Sequence, residues 1–428
     1  MNMERQRPGD EEEEVAIYGG NEGNQRQKLQ LPDELIFTEI LPRLPVKSLI
    51  CFKLVSKQWN SLISSTDFAK THLQHTVANP NFSADPSSRC VVIRNSSSLR
   101  ILNYASYDNF GGFNSSYNII DAELDEFECP NLDGGSPILI GSANGLVCLG
   151  VEYDEIGYKF VVYNPCTGDY FAANEPLEDF GSCPDGALFF GFGYVTSSDD
   201  YKILMMDIPK KRTLLSSIFV YSLRSDSWQS HNGFDKREME ILSDEGVLVH
   251  ETLHYAVSRR CGWSIRDCDS SLKKRKCIAA FNLVSEEFNM VPLPWAKFGH
   301  DHAYYRGDSS FQLSMMDGCL CAWAKYRDRG VQMWMLKQYG EPDSWTKMFN
   351  LNIYSEWGIQ SIHPRGFFGF SPTGKVLVTD NENLVLTNVD NCVSKYVSLV
   401  RQNTVMEVAN FVGSLLSPSS MAGSLRED

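Results

Sequence analysis

The segment His250-Glu251-Thr252-Leu253-His254 has the residue types and the spacing of a zinc-hydrolase motif. On a helix, two histidines four positions apart bind zinc from one face, and the glutamate between them activates water. Here Gly246 precedes an apolar run and apolar residues resume at Leu253, which predicts a β-hairpin whose turn separates the two histidines. The sequence therefore favours a hairpin, and we predict neither a metal site nor a cofactor.

Three other short motifs also receive structural interpretations. Gly191-Phe192-Gly193 lacks the third glycine and the helix of a dinucleotide-binding loop, so it predicts a strand. His300-Asp301-His302 offers at most two ligands on one face and predicts a solvated loop. The basic run Lys273-Lys274-Arg275-Lys276 indicates either a charged loop tip or an import signal. No catalytic residue is predicted.

Composition and charge limit the classes of protein that remain. The chain has 428 residues with 43% hydrophobic and 22% charged residues, as in folded proteins of two to three domains. Its 39 basic and 54 acidic residues give a net charge of −15, which argues against nucleic acid as a partner and favours a basic or neutral protein surface. We find no secretory signal and no membrane-spanning stretch, and most cysteines lie in apolar runs as buried thiols. We expect a protein of the cytoplasm, the nucleus or both.

The chain divides into four regions. Residues 1–30 form a flexible acidic leader, and residues 31–75 show the apolar spacing of three short helices. These helices carry more apolar side chains than a unit of this size can bury alone. The excess must therefore pack on a partner or on the rest of the chain. Residues 88–400 alternate in the β pattern, and residues 401–428 form a C-terminal segment, with a short helix expected over 405–416 and a disordered tail over 417–428.

An internal repeat organises the β region. Residues 161–170 align without gaps with residues 219–228 and 279–288, and each unit has an apolar strand, a polar turn and an aromatic residue that opens the next strand. The aromatic residues of successive units are 58, 60, 57 and 51 positions apart: Tyr170, Trp228, Phe288, Trp345 and Tyr396. This period predicts a β-propeller of about six blades, with five or seven as the alternatives and a pair of β-sandwiches as the other architecture.

The helical region resembles an F-box along its whole length, from Leu31-Pro32-Asp33-Glu34-Leu35-Ile36 through Ile40-Leu41-Pro42-Arg43-Leu44-Pro45 to Trp59-Asn60-Ser61-Leu62-Ile63. The resemblance implies a non-catalytic subunit that binds a Skp-type adaptor and, through it, the cullin and RING subunits of an SCF ubiquitin ligase. The resemblance disfavours the alternative in which the helices pack on the chain's own β region. The implied adaptor-binding residues are Leu31, Pro32, Leu35, Ile36, Ile40, Leu41, Leu44, Pro45, Leu49, Leu54, Val55, Trp59 and Leu62.

The β region resembles the F-box-associated domain, a relative of the kelch propellers that follows the F-box in a large plant family. The sequence motifs that carry this resemblance include Tyr163-Asn164-Pro165-Cys166-Thr167, Gly191-Phe192-Gly193-Tyr194 and Val291-Pro292-Leu293-Pro294. The glycine doublets of regular kelch repeats are missing. The resemblance implies that this domain binds a protein substrate whose ubiquitination and degradation the complex promotes. The alternatives are a scaffold that binds its ligand without degrading it and, more remotely, a zinc-dependent hydrolase.

Overall fold

The chain is mainly β with a small helical module at its N-terminal end. Its computed structural model describes residues 32–78, 90–94, 98–107, 125–128, 137–153, 157–174, 187–208, 215–235, 239–243, 245–260, 274–293, 311–326, 330–351, 364–380, 383–387, 389, 394–395 and 407–423. None of the helices in these ranges is long and apolar enough to cross a membrane.

Short helical segments make up the helical module, residues 32–78. Pro32 precedes the first segment, where its fixed φ suits a helix start and its missing N–H costs no hydrogen bond. The segments are α1 (Asp33–Leu35) with a π-helical turn (Ile36–Ile40) and a 3₁₀ turn (Leu41–Arg43), α2 (Val46–Phe52), α3 (Lys57–Ile63) and α4 (Thr66–Ala78). The prediction of three helices misses α4, which begins three residues after α3 ends.

The β region folds into six antiparallel sheets, which confirms the six-bladed propeller. Blades one to three contain β1 (Cys90–Arg94), β2 (Ser98–Asn103), β3 (Asp125–Glu128), β4 (Ile138–Ala143), β5 (Leu146–Tyr153), β6 (Gly157–Tyr163), β7 (Tyr170–Ala172), β8 (Ala187–Val195), β9 (Asp200–Ile208), β10 (Leu215–Ser222) and β11 (Ser227–Asp235). Blades four to six contain β12 (Met239–Ile241), β13 (Val247–Val249), β14 (Thr252–Arg260), β15 (Lys274–Asn282), β16 (Glu287–Val291), β17 (Phe311–Met316), β18 (Cys319–Tyr326), β19 (Gly330–Leu336), β20 (Trp345–Leu351), β21 (Pro364–Phe370), β22 (Val376–Asp380), β23 (Asn383–Thr387) and β24 (Ser394–Lys395).

The repeated aromatic residues hold equivalent places in the blades. Trp228 lies opposite Tyr221, Phe288 lies opposite Phe281 and Tyr170 lies opposite Tyr163, always at the start of the last strand of a blade. Trp345 lies opposite Leu336 in the fifth blade, while Tyr396 lies outside the described residues. Apolar side chains of neighbouring blades meet in six clusters, one at each junction around the ring. Cys148 and Cys321 are buried in two of them, as the sequence predicts.

The C-terminal segment closes the ring, contrary to the predicted helix and disordered tail. Its strand β25 (Glu407–Phe411) pairs antiparallel with β1, so the last strand of the chain completes the first blade. Glu407 binds the buried Arg94 side chain and also accepts a hydrogen bond from Leu139 N of the second blade at 2.5 Å. Beyond β25 the chain continues to a short helix, α5 (Pro418–Met421), that was not predicted. The five residues of this strand give only a weak local signal, because their partner strand lies more than 300 positions away in the chain.

The two faces of the propeller differ in what they carry. Strand direction alternates within a blade, so the turns β4–β5 and β6–β7 of the second blade and β8–β9 and β10–β11 of the third blade lie on one face, which we call the near face. The helical module lies against it, since Lys70 of α4 forms an ion pair with Asp199 in the turn between β8 and β9. On the opposite face, which we call the far face, the second strand of each blade ends and the third begins.

Candidate protein-docking surface of the helical module

One side of the helical module is buried against the propeller. Leu41, Leu49 and Ile63 are at most 1% exposed and share an apolar cluster with residues of the second and third blades and with the C-terminal segment. From α4 and from the propeller side the same cluster contains Phe68, Ala69, Leu73, Ile140, Phe192, Leu415, Leu416 and Met421. The disfavoured alternative, in which the helices pack on the chain's own β region, is therefore correct for this side of the module.

Several apolar residues of the module are open to solvent. Leu54 is 89% exposed and Val55 is 61% exposed, and both lie in the turn after α2. Leu35 and Ile40 of the first helical segment are 46% and 40% exposed, and Pro32 and Pro45 are also exposed. Large apolar side chains that are left exposed favour a protein contact, because leaving them in water costs free energy.

Four of the predicted contact residues are half-buried, and one of them is Trp59. The Trp59 ring packs edge-on against Phe37 and Phe52, with centroid distances of 6.2 and 5.6 Å. The Ser56 hydroxyl caps α3 by accepting a hydrogen bond from Trp59 N at 3.1 Å, which fixes where this helix begins. The remaining half-buried positions are Ile36, Leu44 and Leu62.

The structure therefore divides the predicted adaptor-binding residues by depth. Six of them are exposed, and we call this set the docking surface: Pro32, Leu35, Ile40, Pro45, Leu54 and Val55. Leu41 and Leu49 lie beneath it and support it from inside, because no solvent reaches them from either side. Leu31 lies outside the described residues. Adaptor contact through the docking surface stays a prediction.

Polar contacts fix the helical module to the near face. The Tyr194 hydroxyl donates to Asp199 at 2.7 Å, beside the Lys70 ion pair. Burial alone would raise the pKa of the Asp199 carboxyl, but hydrogen bonds from Lys70 and Tyr194 lower it overall. His72 of α4 is buried with its Nε2 2.9 Å from the Leu44 carbonyl oxygen, and burial lowers its pKa. The Lys70–Asp199 pair therefore joins the helical module to the propeller, while the His72 contact joins α4 to the rest of the module.

The C-terminal segment packs at the same junction. The buried Asn164 side chain, in the turn between β6 and β7, donates to the carbonyl oxygens of Leu416 and Ser414 at 2.7 and 3.1 Å. Asp169 of the same turn accepts a hydrogen bond from Ser419 at 2.7 Å. Because Leu416 also lies in the cluster beneath the module, this segment joins propeller and helices.

The zinc-hydrolase motif lies in a hairpin, as predicted. His250 and Glu251 form the two-residue turn between β13 and β14, with φ of 48° and 57°, so His254 lies on the strand that follows. The buried His254 ring has Nδ1 3.1 Å from Val247 O and Nε2 2.8 Å from the Tyr339 hydroxyl, and burial lowers its pKa to about 4. Both nitrogens are thus occupied by structural contacts. Among the described residues no group of three or more His, Cys, Asp and Glu could hold a metal.

The structure locates two of the other sequence motifs in strands. Gly191-Phe192-Gly193 lies within β8, which confirms the strand. Three residues of the basic run, Lys274 to Lys276, begin β15 and therefore do not form a loop tip. The His300-Asp301-His302 motif lies outside the described residues.

The fold and the docking surface define a class of protein: a propeller to which a small helical module with an exposed apolar side is fixed. Residues 29–71 match the F-box domain, and residues 136–418 match the F-box associated beta propeller domain. The chain belongs to the family of F-box proteins with an F-box associated beta propeller domain.

Curated relatives share this organisation. The chain is 26% identical over 375 residues to the F-box protein CPR1 of Arabidopsis thaliana, covering 83% of this chain and 79% of that protein. It is 28% identical over 325 residues to an F-box/kelch-repeat protein of Arabidopsis thaliana, covering 75% and 79% of the two chains. Among solved structures, TolB from Acinetobacter baumannii aligns with a TM-score of 0.39 and 11% identity over 78% of this chain and 71% of that chain, a likeness too low to carry a conclusion.

Proposed function

We propose that this chain is the substrate receptor of an SCF-type ubiquitin ligase. In this role the docking surface binds a Skp-type adaptor, which brings the cullin and RING subunits, while the propeller binds a protein that is to be ubiquitinated and degraded. The observation that supports the proposal best is the docking surface itself, where Leu54 and Val55 are 89% and 61% exposed while the opposite side of the module is buried. A patch of this kind is stabilised when a partner covers it.

The fixed junction between module and propeller suits this role. A receptor accelerates ubiquitin transfer by holding its substrate near the transferring subunits, which raises the effective concentration of the acceptor lysines. That gain depends on a defined geometry, and the Lys70–Asp199 and Asn164–Leu416 contacts supply one. The chemistry belongs to other subunits, so the chain contributes no reacting group.

The far face is the part of the propeller that we propose for substrate binding. The helical module and the C-terminal segment occupy the near face around the second and third blades, as the Lys70 and Asn164 contacts show. A substrate on the far face meets neither of them. For a receptor that joins adaptor-borne subunits, we propose the cytoplasm, the nucleus or both as its location.

The test is a comparison of target half-lives in cells. The variant Leu54→Asp with Val55→Asp abolishes the docking surface without uncovering the apolar cluster, whereas deletion of the whole module would expose Leu415 and Leu416 on the propeller side. Proximity labelling from this variant is expected to enrich a protein that the wild-type chain depletes, and the half-life of that protein should lengthen. If the captured protein has the same half-life with either chain, the receptor proposal fails and the scaffold is the better account.

A further inference from the structure

The C-terminal segment carries two serines whose side chains bind one carboxylate of the second blade. The Ser419 hydroxyl donates to Asp169, with its Oγ 2.7 Å from Oδ2 and 3.0 Å from Oδ1. The Ser417 hydroxyl donates to the same Oδ2 and lies 3.1 Å from the Ser419 hydroxyl. Within the part of the chain that the structure describes, the Asp169 carboxylate forms no ion pair and accepts hydrogen bonds from these two hydroxyls alone.

These hydrogen bonds attach the short helix α5 to the near face. Ser417 is the N-cap of α5, and its hydroxyl accepts a hydrogen bond from Ser420 N at 3.2 Å. Just beyond the helix, Gly423 N donates to Leu223 O in the turn between β10 and β11, at 3.3 Å. Between these two ends Met421 is buried in the apolar cluster that the propeller shares with the helical module. The helix α5 therefore contributes a side chain to the junction of module and propeller.

Ser419 is open to solvent, although the residues around it are not. It is exposed, while Pro418 before it and Met421 after it are buried. An ionised carboxylate only accepts hydrogen bonds, so the contact with Asp169 depends on the proton of the Ser419 hydroxyl. A modification that replaces this proton with negative charge converts the attraction into repulsion between like charges. The attachment of α5 thus depends on the chemical state of an accessible hydroxyl.

We propose that Ser419 is a phosphorylation site whose modification releases α5 from the second blade. The Ser419 Oγ attacks the γ-phosphorus of ATP held by a protein kinase, the bond to ADP breaks, and the hydroxyl proton passes to a base of the kinase. The product has lost the proton that bonded to Asp169 and carries about two negative charges beside that carboxylate. The inference does not depend on the receptor proposal, because every contact that it uses lies within this chain.

The release is confined to the end of the C-terminal segment. The Asn164 side chain binds the carbonyl oxygens of Ser414 and Leu416, and neither bond involves the Asp169 carboxylate. Phosphorylation therefore leaves β25 and the closure of the ring intact. It frees α5 and withdraws Met421 from the apolar cluster, which weakens the contact between module and propeller.

The test measures amide hydrogen exchange in the full chain with phosphoserine incorporated at position 419 during translation. Exchange is followed in residues 417–423, where the amides of Ser420, Ala422 and Gly423 donate hydrogen bonds. These amides should exchange at least about tenfold faster in the phosphorylated chain than in the unmodified chain, because α5 is no longer held on the propeller. Exchange in β25 should be the same in both. Equal exchange of residues 417–423 in the two chains would overturn the proposal.

Two further chains separate the repulsion from the bulk of the phosphate group. Phosphoserine at position 230, an exposed serine of β11, adds the same charge elsewhere and should leave exchange of α5 unchanged. Asp169→Asn keeps a hydrogen-bond acceptor but removes the negative charge, so phosphoserine at position 419 should accelerate exchange less in this variant than in the wild type. The same acceleration with Asp169 and with asparagine would contradict the mechanism of release.

Modification in the cell is tested on the full chain purified from plant cells in the presence of phosphatase inhibitors. Mass spectrometry of the C-terminal peptide should place a phosphoryl group on Ser419. Treatment of the purified chain with a phosphatase should then slow the exchange of residues 417–423 to the rate of the unmodified chain. A C-terminal peptide without phosphate, or with phosphate on Ser417 or Ser420 alone, would overturn the assignment of Ser419 as the site.

Discussion

The side-chain amide of Asn164 donates a hydrogen bond of 2.7 Å to the backbone carbonyl oxygen of Leu416, although 252 positions separate the two residues. This bond attaches the C-terminal segment to the second blade. Since Leu416 also lies in the apolar cluster beneath the helical module, one buried asparagine stabilises the junction on which the orientation of the docking surface depends.

Replacement of Asn164 should destabilise that junction. In Asn164→Ala the buried carbonyl oxygens of Leu416 and Ser414 lose their donor, so the free energy of unfolding should fall by about 1–3 kcal/mol in urea titrations. Asn289→Ala is the matched control, because Asn289 is exposed on β16 and its loss should change stability by less than about 0.5 kcal/mol. Equal effects of the two substitutions would show that the C-terminal segment does not depend on Asn164.

Closure of the ring should depend on Glu407. Its removal leaves the Arg94 guanidinium, whose side chain is 3% exposed, without this carboxylate, and also frees Leu139 N. Glu407→Ala should therefore cost about 3–5 kcal/mol of stability in urea titrations. The double variant Arg94→Met with Glu407→Leu should cost less than the single one, since no charge then remains buried. A double variant that is less stable than Glu407→Ala would refute this account of the pair.

His254 should make stability depend on pH below neutrality. Burial lowers its pKa to about 4, below the usual value of 6.5, so between these pH values the unfolded chain binds a proton that the folded chain does not. The free energy of unfolding should therefore fall by up to about 3 kcal/mol as pH drops from 6.5 to 4, with no contribution above 6.5.

Urea titrations of wild type and His254→Gln at pH 7, 5.5 and 4.5 measure this contribution. The wild type should lose more stability than the variant over this range, whereas the exposed control His75→Gln should follow the wild type. Parallel pH profiles of wild type and His254→Gln would contradict the assignment.

Truncation of a leucine in the helical module should lower the free energy of unfolding only where its side chain is buried. Leu49→Ala leaves a cavity in the cluster shared with the propeller and should cost about 2–5 kcal/mol of unfolding free energy. Leu54→Ala should cost less than about 0.5 kcal/mol, because its side chain is 89% exposed. Thermal melts of the two variants distinguish a buried side from an open one, and similar shifts would contradict the division of the module.

The sequence predicts those parts of the fold that local alternation specifies. The hairpin at His250 follows from Gly246 and the apolar runs on both sides, and the blades follow from aromatic residues that recur at one place in each unit. Strand β25 was missed because its partner β1 lies far away in the chain. The burial of Leu41 and Leu49 was missed for a similar reason, since an apolar helix face looks the same whether the propeller or another protein covers it.

The position of the basic residues in the fourth blade was missed for the same reason. The basic run at Lys274 resembles a loop tip when it is considered alone, because nothing local indicates that Arg259 and Arg260 lie opposite it. Only the register of β14 and β15 brings the two groups together. A total charge of −15 likewise describes the chain and not each of its faces.

Co-purification of a Skp-type adaptor with the full chain tests the central claim most directly. Wild type, Leu54→Asp with Val55→Asp, and the exposed control Gln58→Glu are expressed with the adaptor, and each chain's melting temperature is recorded. We predict that the double variant loses the adaptor by at least about tenfold at an unchanged melting temperature, while wild type and control retain it. Retention of the adaptor by the double variant at wild-type levels would contradict the docking surface and, with it, the receptor function.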